Sequence, residues 1–294
     1  MVTFYRRFPK FDYTSPDNLQ DVLVLIAGKK SNEFKLYAGG TDVIPKLKKR
    51  LIDTPEILVD LKRIKGLDYI EYDSKKGLRI GALASVRSVA TSAVVNEHFP
   101  ILSQAAGSIA AWQIQNRATV VGNICNAVPS ADSAPALLTL EASVLCVKAN
   151  GERVVPLAEF FTGPNQTILK DDEIVKEIQI PNLPSGSKGK YIKLSTRKKM
   201  DLAVVGVAVV IVPDDGICKE LRIGLGAVAP TPIRAKEAEK KLLGQNLTDE
   251  LIEQCSKLAA DESKPIDDHR ASVYYRKAMV SVLVKRAIHQ CLSN

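Results

Sequence analysis

The sequence has no hydrophobic stretch long enough to cross a membrane. Its longest apolar run covers residues 202–212, whereas a transmembrane helix needs roughly 18 to 20 such residues. The run is rich in valine and contains Gly206, so it predicts a buried strand. Residues 1–20 also lack the apolar segment of a signal peptide, and we therefore expect a cytoplasmic protein.

Cysteine and histidine are scarce and scattered. The five cysteines are isolated from one another, and no CxxC motif occurs. None of the three histidines has a cysteine, serine or carboxylate at a recognisable metal-ligand or catalytic spacing. This pattern predicts reduced thiols and no metal or iron–sulfur site within the chain, and it assigns no catalytic acid or base.

Aromatic residues make up only 5% of the chain, and they do not alternate with basic residues. This composition argues against nucleic-acid binding. The net charge is nevertheless +8, with basic clusters at residues 46–50 (KLKKR) and 197–199 (RKK). Each cluster has three interpretations: a solvated surface, a docking face for an acidic partner, or a source of attraction for an anionic cofactor.

The remaining composition is that of a globular protein, with 46% hydrophobic residues in a chain of 294. At about 150 residues per domain, this length predicts two domains. Residues 181–189 are rich in proline, glycine, serine and lysine, which places the boundary between domains 1–180 and 181–294. The second domain begins with three predicted strands, at residues 191–194, 203–212 and 218–228. Two or three helices follow, within residues 235–243, 249–260 and 272–291. We predict an α+β protein whose C-terminal domain is a three-stranded antiparallel sheet with helices.

A strand followed by two glycines is the first candidate binding segment. Residues 34–38 form the predicted strand, and Gly39 and Gly40 follow it directly. Glycine lets the backbone approach a ligand and adopt positive φ, and successive amide groups in such a loop suit a phosphate. Thr41 adds a hydroxyl donor. A plain Gly-Gly turn before a helix is the alternative.

The second candidate is the stretch of residues 117–135, which is poor in charge and too long for an ordinary turn. Its small side chains leave room for a ligand, and Asn123 and Asp132 offer the hydrogen bonds that a ribose or adenine needs. Pro135 fits the first turn of a following helix, with Asp132 or Ser133 as its cap. A long surface loop is the alternative.

Residues 224–229 (GLGAVA) match the GxGxxA fingerprint of dinucleotide-binding folds. That motif requires a helix to begin at the glycines, so that its N-terminus meets the pyrophosphate. Pro230 and Pro232 prevent such a helix. We therefore expect a strand with close backbone packing at this position.

Residues 38–42 (AGGTD) and 118–132 (ATVVGNICNAVPSAD) together resemble the two flavin-binding loops of a known family. It is the FAD-containing medium subunit of the molybdenum hydroxylases, which include xanthine dehydrogenase and carbon monoxide dehydrogenase. The similarity extends, in order and at family spacing, to residues 11–16, 190–201 and 264–276. The resemblance implies the flavin fold of p-cresol methylhydroxylase and vanillyl-alcohol oxidase (PCMH/VAO type). Its two α/β lobes, at about residues 1–58 and 59–180, would hold FAD between them.

The resemblance also implies the residues of a non-covalent FAD site. On the first loop, the pyrophosphate and the ribityl chain would contact Lys35, Leu36, Tyr37, Ala38, Gly39, Gly40, Thr41 and Asp42. On the second loop, the pyrophosphate cradle would be completed by Thr119, Gly122 and Asn123, with Ala118 and Cys125 beside it and Asp132 on a sugar or ribityl hydroxyl. The cofactor would be lined by Ile109, Ala110 and Ile114. Near the isoalloxazine ring would lie Lys193 and, against one face, Tyr191.

One position departs from the family pattern. Val121 stands where the family usually has glycine. Valine is costly if the backbone there has positive φ, so we expect a local backbone adjustment with FAD binding retained. The cysteine-bearing iron–sulfur insertion of one family branch has no counterpart in this sequence.

The function that the resemblance implies is electron transfer. A large partner subunit with a molybdenum cofactor would oxidise the substrate, and a small subunit with two [2Fe–2S] clusters would pass electrons to FAD on this chain. The acceptor would be NAD, oxygen, a quinone or a protein carrier. The alternative is a free-standing FAD-dependent oxidase or dehydrogenase with its own small organic substrate, which turns over without partners. A third hypothesis, a non-enzymatic anion-binding or nucleic-acid-binding protein, predicts that no flavin is bound.

Overall fold

The computed structural model of the chain describes residues 7–30 and 32–293. Residues 1–6, on which the expectation of no export signal rests in part, lie outside the described residues. Within the described part of the chain, no helix combines the length and the apolar character that a membrane span requires.

The first lobe is a parallel sheet with two connecting helices. Its elements, in chain order, are β1 (Asp12–Thr14), α1 (Leu19–Ile26), β2 (Phe34–Tyr37), α2 (Val43–Lys49) and β3 (Ile57–Asp60). Both β1 and β2 pair in parallel with β3, which lies between them. Residues 38–42 therefore leave the carboxyl end of β2, the edge at which ligands bind in open α/β sheets.

The second lobe is an antiparallel sheet with the order β4-β5-β10-β6-β7 and helices packed on it. Its elements are β4 (Ile70–Asp73), β5 (Gly77–Gly81), α3 (Val86–Thr91), α4 (Ala93–His98), α5 (Pro100–Gly107), α6 (Trp112–Gln115), α7 (Val120–Cys125), α8 (Ser133–Thr139), β6 (Ser143–Lys148), β7 (Gly151–Pro156), α9 (Leu157–Phe160), β8 (Phe161–Gly163), β9 (Gln166–Thr167) and β10 (Ile174–Ile180). Strands β8 and β9 form a separate two-stranded pair. The shortest of these elements escaped the sequence analysis because they contain too few residues to show a period.

The C-terminal domain is a four-stranded antiparallel sheet with three helices. Its elements are β11 (Lys188–Leu194), β12 (Val205–Asp214), β13 (Ile217–Gly226), β14 (Ile233–Arg234), α10 (Lys236–Leu242), α11 (Asp249–Glu262) and α12 (Val273–Leu292). The prediction of three strands is corrected by β14, which pairs with the end of β13 but is only two residues long. Asp215 and Gly216 both have positive φ in the turn between β12 and β13, as tight hairpins require.

The long apolar run is explained by burial of β12 on both faces. Ala208 and Val210 belong to the hydrophobic core of the second lobe. Val207 and Val209, on the opposite face, belong to the core beneath the C-terminal helices. Because each face of the strand covers a different core, the sequence shows an uninterrupted hydrophobic stretch rather than an alternation.

The GxGxxA segment is a strand in close packing, as predicted. Gly224 and Gly226 lie in β13 against helix α8. A β-carbon on Gly224 would lie 2.3 Å from the carbonyl oxygen of Pro135, and one on Gly226 would lie 2.7 Å from Cγ of the same proline. The two glycines therefore let the C-terminal sheet approach α8, and no helix begins at them within the described residues.

The stretch of residues 117–135 is more regular than the sequence indicated. It contains α7 and the start of α8, each too short to show helical periodicity. Pro135 lies in the first turn of α8, as predicted, and Asp132 occupies the N-cap position. The Asp132 side chain does not cap the helix, however. Its carboxylate points instead to residues of β11, with consequences described below.

The segment of residues 264–276 anchors α12 to the C-terminal sheet. Arg276 is buried and donates to the carbonyl oxygens of Val204 and Ala227 and to the carboxylate of Asp268. Asp268 also accepts from the amide groups of Arg270 and Ala271. Burial disfavours the charged form of Asp268, but these donors outweigh it and lower the pKa of Asp268 to about 2.

We expect Asp268→Asn to lower the free energy of unfolding by about 2–3 kcal/mol, because charge-assisted hydrogen bonds are lost. The folded-state pKa lies below the ordinary value of 3.8. The contribution of Asp268 is therefore complete at neutral pH and is lost as the pH falls from about 4 towards about 2. Urea unfolding at a series of pH values should show a weaker acid dependence in the variant. An unchanged acid slope would contradict this assignment.

Candidate functional site

A cleft of about 930 Å³ joins the two lobes and the C-terminal domain. Its volume lies within the range of about 300–1,000 Å³ that is typical of ligand pockets. The first lobe contributes residues 34–36 and 38–43, and the second lobe contributes residues within the ranges 118–132 and 165–175, among others. The C-terminal domain contributes residues 197, 200–202 and 269–270. Both segments that the sequence analysis selected therefore line one cavity.

Most of the predicted site residues lie on the surface of this cleft. They are Lys35, Leu36, Ala38, Gly39, Gly40, Thr41, Asp42, Ile109, Ala110, Ile114, Ala118, Thr119, Gly122, Asn123, Cys125 and Asp132. The three others, Tyr37, Tyr191 and Lys193, do not line it. Tyr37 packs under the first loop, whereas Tyr191 and Lys193 lie behind Asp132.

Two parts of the cleft wall were missed by the sequence analysis. The first comprises residues 165–175, which carry no local signal because tertiary contacts bring them to the cleft, such as the hydrogen bond from the amide of Asn165 to the carbonyl oxygen of Ala127 and the pairing of β10 with β6. The second is the end wall with Arg197, Met200, His269 and Arg270. A signal existed for this wall, since these residues belong to the family-like segments 190–201 and 264–276.

Gly39 and Gly40 are required for two different reasons. A β-carbon on Gly39 would lie 2.0 Å from the carbonyl oxygen of Arg117, so the two candidate segments touch through their backbones. Gly40 has φ +74°, and a β-carbon there would lie 2.1 Å from the ring of Tyr37. Helix α2 does follow the glycines, as the alternative of a plain Gly-Gly turn before a helix predicts. A plain turn, however, does not require the close contacts with Arg117 and Tyr37.

A row of unpaired amide groups lies along the first loop, whose residues 39–43 line the cleft. Within residues 7–30 and 32–293, the amide groups of residues 39–43 find no hydrogen-bond acceptor. The first bond of the turn is donated by Ile44 to Gly40. Successive free N–H groups next to a positive φ form a concave site that favours phosphate oxygens.

Two lysines add positive charge to the same end of the cleft. Burial lowers the pKa of Lys35, and repulsion from Lys46 lowers it further. The ammonium group of Lys46 lies 2.5 Å from Oδ1 of Asn126 and 3.5 Å from Oδ1 of Asn165, which hold it across the cleft. A bound anion between the two ammonium groups relieves their repulsion.

Asp132, Tyr191 and Lys193 form a buried ionic cluster at the part of the cleft wall that Asp132 lines. Asp132 is 7% exposed, and its two oxygens accept from the hydroxyl of Tyr191 at 2.9 Å and from the ammonium group of Lys193 at 2.7 Å. Lys193 also donates to the carbonyl oxygens of Ser108 and Asp201. Burial raises the pKa of Asp132, and the nearby Lys193 offsets only part of that rise. These hydrogen bonds connect β11 with Ser108, Asp132 and Asp201.

The cluster bears on two predicted contacts with the cofactor. Both oxygens of Asp132 already have protein partners, although the residue still lines the cleft. The ring of Tyr191 lies in the core of the second lobe, and burial raises the pKa of its hydroxyl well above the ordinary value. Tyr191 is therefore a hydrogen-bond donor to Asp132. The sugar contact of Asp132 and the ring contact of Tyr191 stay predictions.

Cys125 lies in the cleft wall, and burial raises the pKa of its thiol to about 12. The thiol is therefore protonated at neutral pH. Because the thiolate is the nucleophilic form of cysteine, Cys125 is poorly suited to form a covalent bond with a cofactor. This chemistry agrees with the predicted non-covalent site.

Val121 has an ordinary backbone φ, so the condition under which valine would be costly at this position does not arise. Thr119 caps α7 by accepting from the amide of Gly122, which places Val121 inside the first helical turn. Val121 is buried and has no positive φ. Left-handed backbone occurs instead at Ala110 and Ala127, with φ of 43° and 49°.

We expect Val121→Gly to destabilise the protein by about 2–4 kcal/mol, from the loss of a buried side chain and the added freedom of glycine. FAD affinity should not increase, because the helical backbone at this position already accepts valine. Urea unfolding and a flavin titration of the same variant measure both effects. Tighter FAD binding by the variant would show that a glycine here serves the cofactor.

The cleft fits the FAD that the resemblance implies. The amide groups of residues 39–43, with Lys35 and Lys46, suit the doubly charged pyrophosphate. The apolar side chains of Ile109 and Ile114 offer a dry surface for a planar ring. The cleft therefore contains both the charged and the apolar groups that a flavin dinucleotide requires.

Comparison with known families agrees with this assignment. Residues 9–183 match the family described as "FAD binding domain in molybdopterin dehydrogenase". Residues 190–291 match the family described as "CO dehydrogenase flavoprotein C-terminal domain". The two matches together cover almost all of the chain.

Individual relatives match over nearly their full length. The chain is 33% identical to the carbon monoxide dehydrogenase medium chain of Hydrogenophaga pseudoflava, over 96% of both chains. It is also 33% identical to the xanthine dehydrogenase FAD-binding subunit of Escherichia coli O157:H7, covering 96% of this chain and 97% of that subunit. The glyceraldehyde dehydrogenase medium chain of Sulfolobus acidocaldarius is 32% identical, over 96% of this chain and 98% of that chain.

Solved structures show the same fold. A chain of the carbon monoxide dehydrogenase from Hydrogenophaga pseudoflava superposes with a TM-score of 0.92 at 33% identity, over 97% of this chain and 98% of that chain. A chain of quinoline 2-oxidoreductase from Pseudomonas putida superposes with a TM-score of 0.90 at 27% identity and the same coverage. The chain therefore belongs to the family of FAD-binding subunits of molybdenum hydroxylases, with an FAD-binding domain followed by a CO dehydrogenase flavoprotein C-terminal domain.

Proposed function

We propose that this chain is the electron-transfer subunit of a multi-subunit molybdenum hydroxylase or dehydrogenase. It takes electrons from the [2Fe–2S] clusters of a small partner subunit and passes them to an external acceptor. The substrate is oxidised on a large partner subunit that holds the molybdenum cofactor. The observation that carries the proposal is the cleft itself, whose two touching loops and free amide row suit FAD.

FAD suits this position because it accepts electrons singly and delivers them in pairs. The chain's own residues bind and orient it. The amide groups of residues 39–43 and the ammonium groups of Lys35 and Lys46 neutralise the pyrophosphate. Ile109 and Ile114 exclude water from the part of the cleft near the C-terminal domain. Asp132 and Lys193 hold that wall in place by their ion pair.

The role as a subunit is supported by the relatives. The three relatives described above are named as a medium chain or an FAD-binding subunit, and the chain covers 96–98% of each. A free-standing FAD-dependent oxidase or dehydrogenase remains the competing hypothesis. It predicts substrate turnover by the isolated chain, whereas the electron-transfer role predicts turnover only with partners.

An absorption spectrum of the tagged chain, purified gently from its native host with its partners, tests the proposal. We expect flavin bands on a broad iron–sulfur background, together with two further protein bands on a gel. A single yellow protein that is bleached by a small organic donor would establish the free-standing enzyme instead. Absence of flavin even after addition of FAD would contradict both hypotheses.

A further inference from the structure

The loop between α5 and α6 forms part of the cleft wall and has an unusual backbone. Two of its residues, Ile109 and Ala110, line the cleft. Ala110 has a φ of 43°, in the left-handed region that strains any residue with a β-carbon. Strained backbone persists only where its surroundings hold it, and it is concentrated at functional sites. The conformation of Ala110 therefore depends on contacts made by other parts of the chain.

The carbonyl oxygens of residues 107–110 all accept hydrogen bonds from groups outside this loop. Two of the bonds come from Nε2 of Gln115, which lies 3.1 Å from the carbonyl oxygen of residue 107 and 2.7 Å from that of residue 109. The ammonium group of Lys193 donates to the carbonyl oxygen of residue 108. The amide of Met200 donates to that of residue 110. Four consecutive peptide groups are therefore fixed in orientation.

Gln115 is a costly residue at its position if its role is only to fill space. Its side chain is 0% exposed, and Oε1 has no hydrogen-bond partner among the described residues. A buried oxygen without a partner lowers the stability of a fold. An apolar side chain of the same length would pack here without that cost. The two bonds from Nε2 are therefore what distinguishes glutamine from such a side chain.

The bond from Gln115 to Ile109 sets the direction of the next amide group. The peptide between Ile109 and Ala110 is trans, so its carbonyl oxygen and its N–H point in opposite directions. Gln115 is not part of the cleft lining, whereas Ala110 is. The N–H of Ala110 is thus directed away from Gln115, to the side of the loop on which the cleft lies. It finds no acceptor within residues 7–30 and 32–293.

We infer that the amide of Ala110 donates a hydrogen bond to the isoalloxazine ring of FAD, and that Gln115 is the positioning residue that aims this amide. The inference rests on FAD binding, which is part of the proposed function. The neighbouring Ile109 and Ile114 are apolar, which suits the planar ring better than the charged pyrophosphate. The ring offers carbonyl oxygens and the nitrogen N5 as acceptors, and hydrogen bonds to such atoms tune the reduction potential of a flavin.

The test compares the reduction potential of FAD bound to the full-length wild type and to Gln115→Met. Methionine has a similar length but no N–H donor, so the peptide between Ile109 and Ala110 loses the bond that orients it. We expect the ratio of the dissociation constants of oxidised and reduced FAD to change at least about tenfold, which is about 30 mV for a two-electron couple.

The sign of the change identifies the acceptor atom on the ring. A carbonyl oxygen becomes more negative when the ring is reduced, so loss of a donor to it lowers the potential. N5 takes up a proton on two-electron reduction and no longer accepts, so loss of a donor to N5 raises the potential. Either shift supports the inference.

A purely structural role of Gln115 predicts a different result. General loosening of the wall would weaken the binding of oxidised and reduced FAD by the same factor, which leaves the potential unchanged. The matched control is Gln113→Met, because Gln113 is an exposed residue of the same helix and does not line the cleft. Its potential should equal that of the wild type.

Hydrogen exchange of the wild-type chain tests the inference without any variant. The amides of Ser108 and Ile109 already donate to carbonyl oxygens of α5, whereas the amide of Ala110 has no such bond. We expect bound FAD to slow the exchange of the Ala110 amide at least about tenfold, as a new hydrogen bond does. NMR of protein with isotope-labelled alanine measures this rate.

Unchanged exchange at Ala110 in the FAD-bound wild type would overturn the inference and leave the proposed function intact. An unchanged potential in folded, FAD-loaded Gln115→Met would do the same. A wild-type chain that binds no FAD would instead refute the proposed function, and the inference with it.

Discussion

Replacing Gly39 with alanine is expected to remove FAD from the protein. The added β-carbon would lie 2.0 Å from the carbonyl oxygen of Arg117, which is backbone and cannot rotate away. The first loop must therefore separate from the second, and the amide row of residues 39–43 moves out of position. We expect FAD affinity to fall by at least about 100-fold, a cost of about 2.7 kcal/mol. Fluorescence titration of the apoprotein with FAD measures this loss.

Gly107→Ala is the matched control for this experiment. Gly107 is a helical residue at the end of α5, close in sequence to Ile109 and Ala110 of the cleft wall. A β-carbon there meets no atom within 4 Å, and the backbone φ is not positive. This variant should bind FAD as the wild type does. Normal FAD binding by Gly39→Ala would show that the two loops need not touch to hold the cofactor.

Removing one partner of the ion pair between Asp132 and Lys193 is expected to have the largest effect on stability. Both side chains are nearly buried, with 8% and 11% exposed. Asp132→Asn leaves the Lys193 ammonium group without a negative partner. Lys193→Met leaves the Asp132 carboxylate without a positive partner. Breaking a buried pair in this way costs about 3–5 kcal/mol. We expect each variant to lose this much free energy of unfolding and to bind FAD more weakly.

The double variant Asp132→Asn with Lys193→Met distinguishes the interaction energy between the two side chains from the energy of their other contacts. Its loss of stability should be smaller than the sum of the two single losses, because neither charge is then left unpaired. Urea unfolding of all four proteins gives the coupling energy. The control is Asp214→Asn, which breaks an exposed pair with Lys219 and should cost less than about 1 kcal/mol. Additive losses would show that Asp132 and Lys193 stabilise the wall independently.

Local patterns were sufficient to predict much of this molecule. The strand before Gly39, the buried strand β12 and the helix α12 were all visible as periodic or apolar runs. The rejection of the GxGxxA segment as a dinucleotide motif is confirmed, because two prolines excluded the helix that the motif needs. Some of the shortest elements were missed or misjudged, among them the two-residue β14 and the six-residue α7, because so short a segment shows no period.

The expected strain at Val121 shows the limit of inference from a family pattern. A glycine in relatives indicates either a positive φ or a close contact, and sequence alone does not distinguish these from a simple preference. The structure places Val121 in the first turn of a capped helix, where any residue with an ordinary φ is accepted. The position that does require glycine is Gly39, because another segment of backbone lies against it.

The two glycine-rich and asparagine-rich segments, the α+β character and the family resemblance could all be recognised in the sequence. These follow from local chemistry, since each motif is contiguous along the chain. The contacts of Gly39 with Arg117, of Asp132 with Lys193 and of Met200 with Ala110 become apparent only in the folded chain. These partners are far apart in sequence, and their contacts depend on how two lobes and a third sheet pack. The cofactor cleft exists only as a product of that packing.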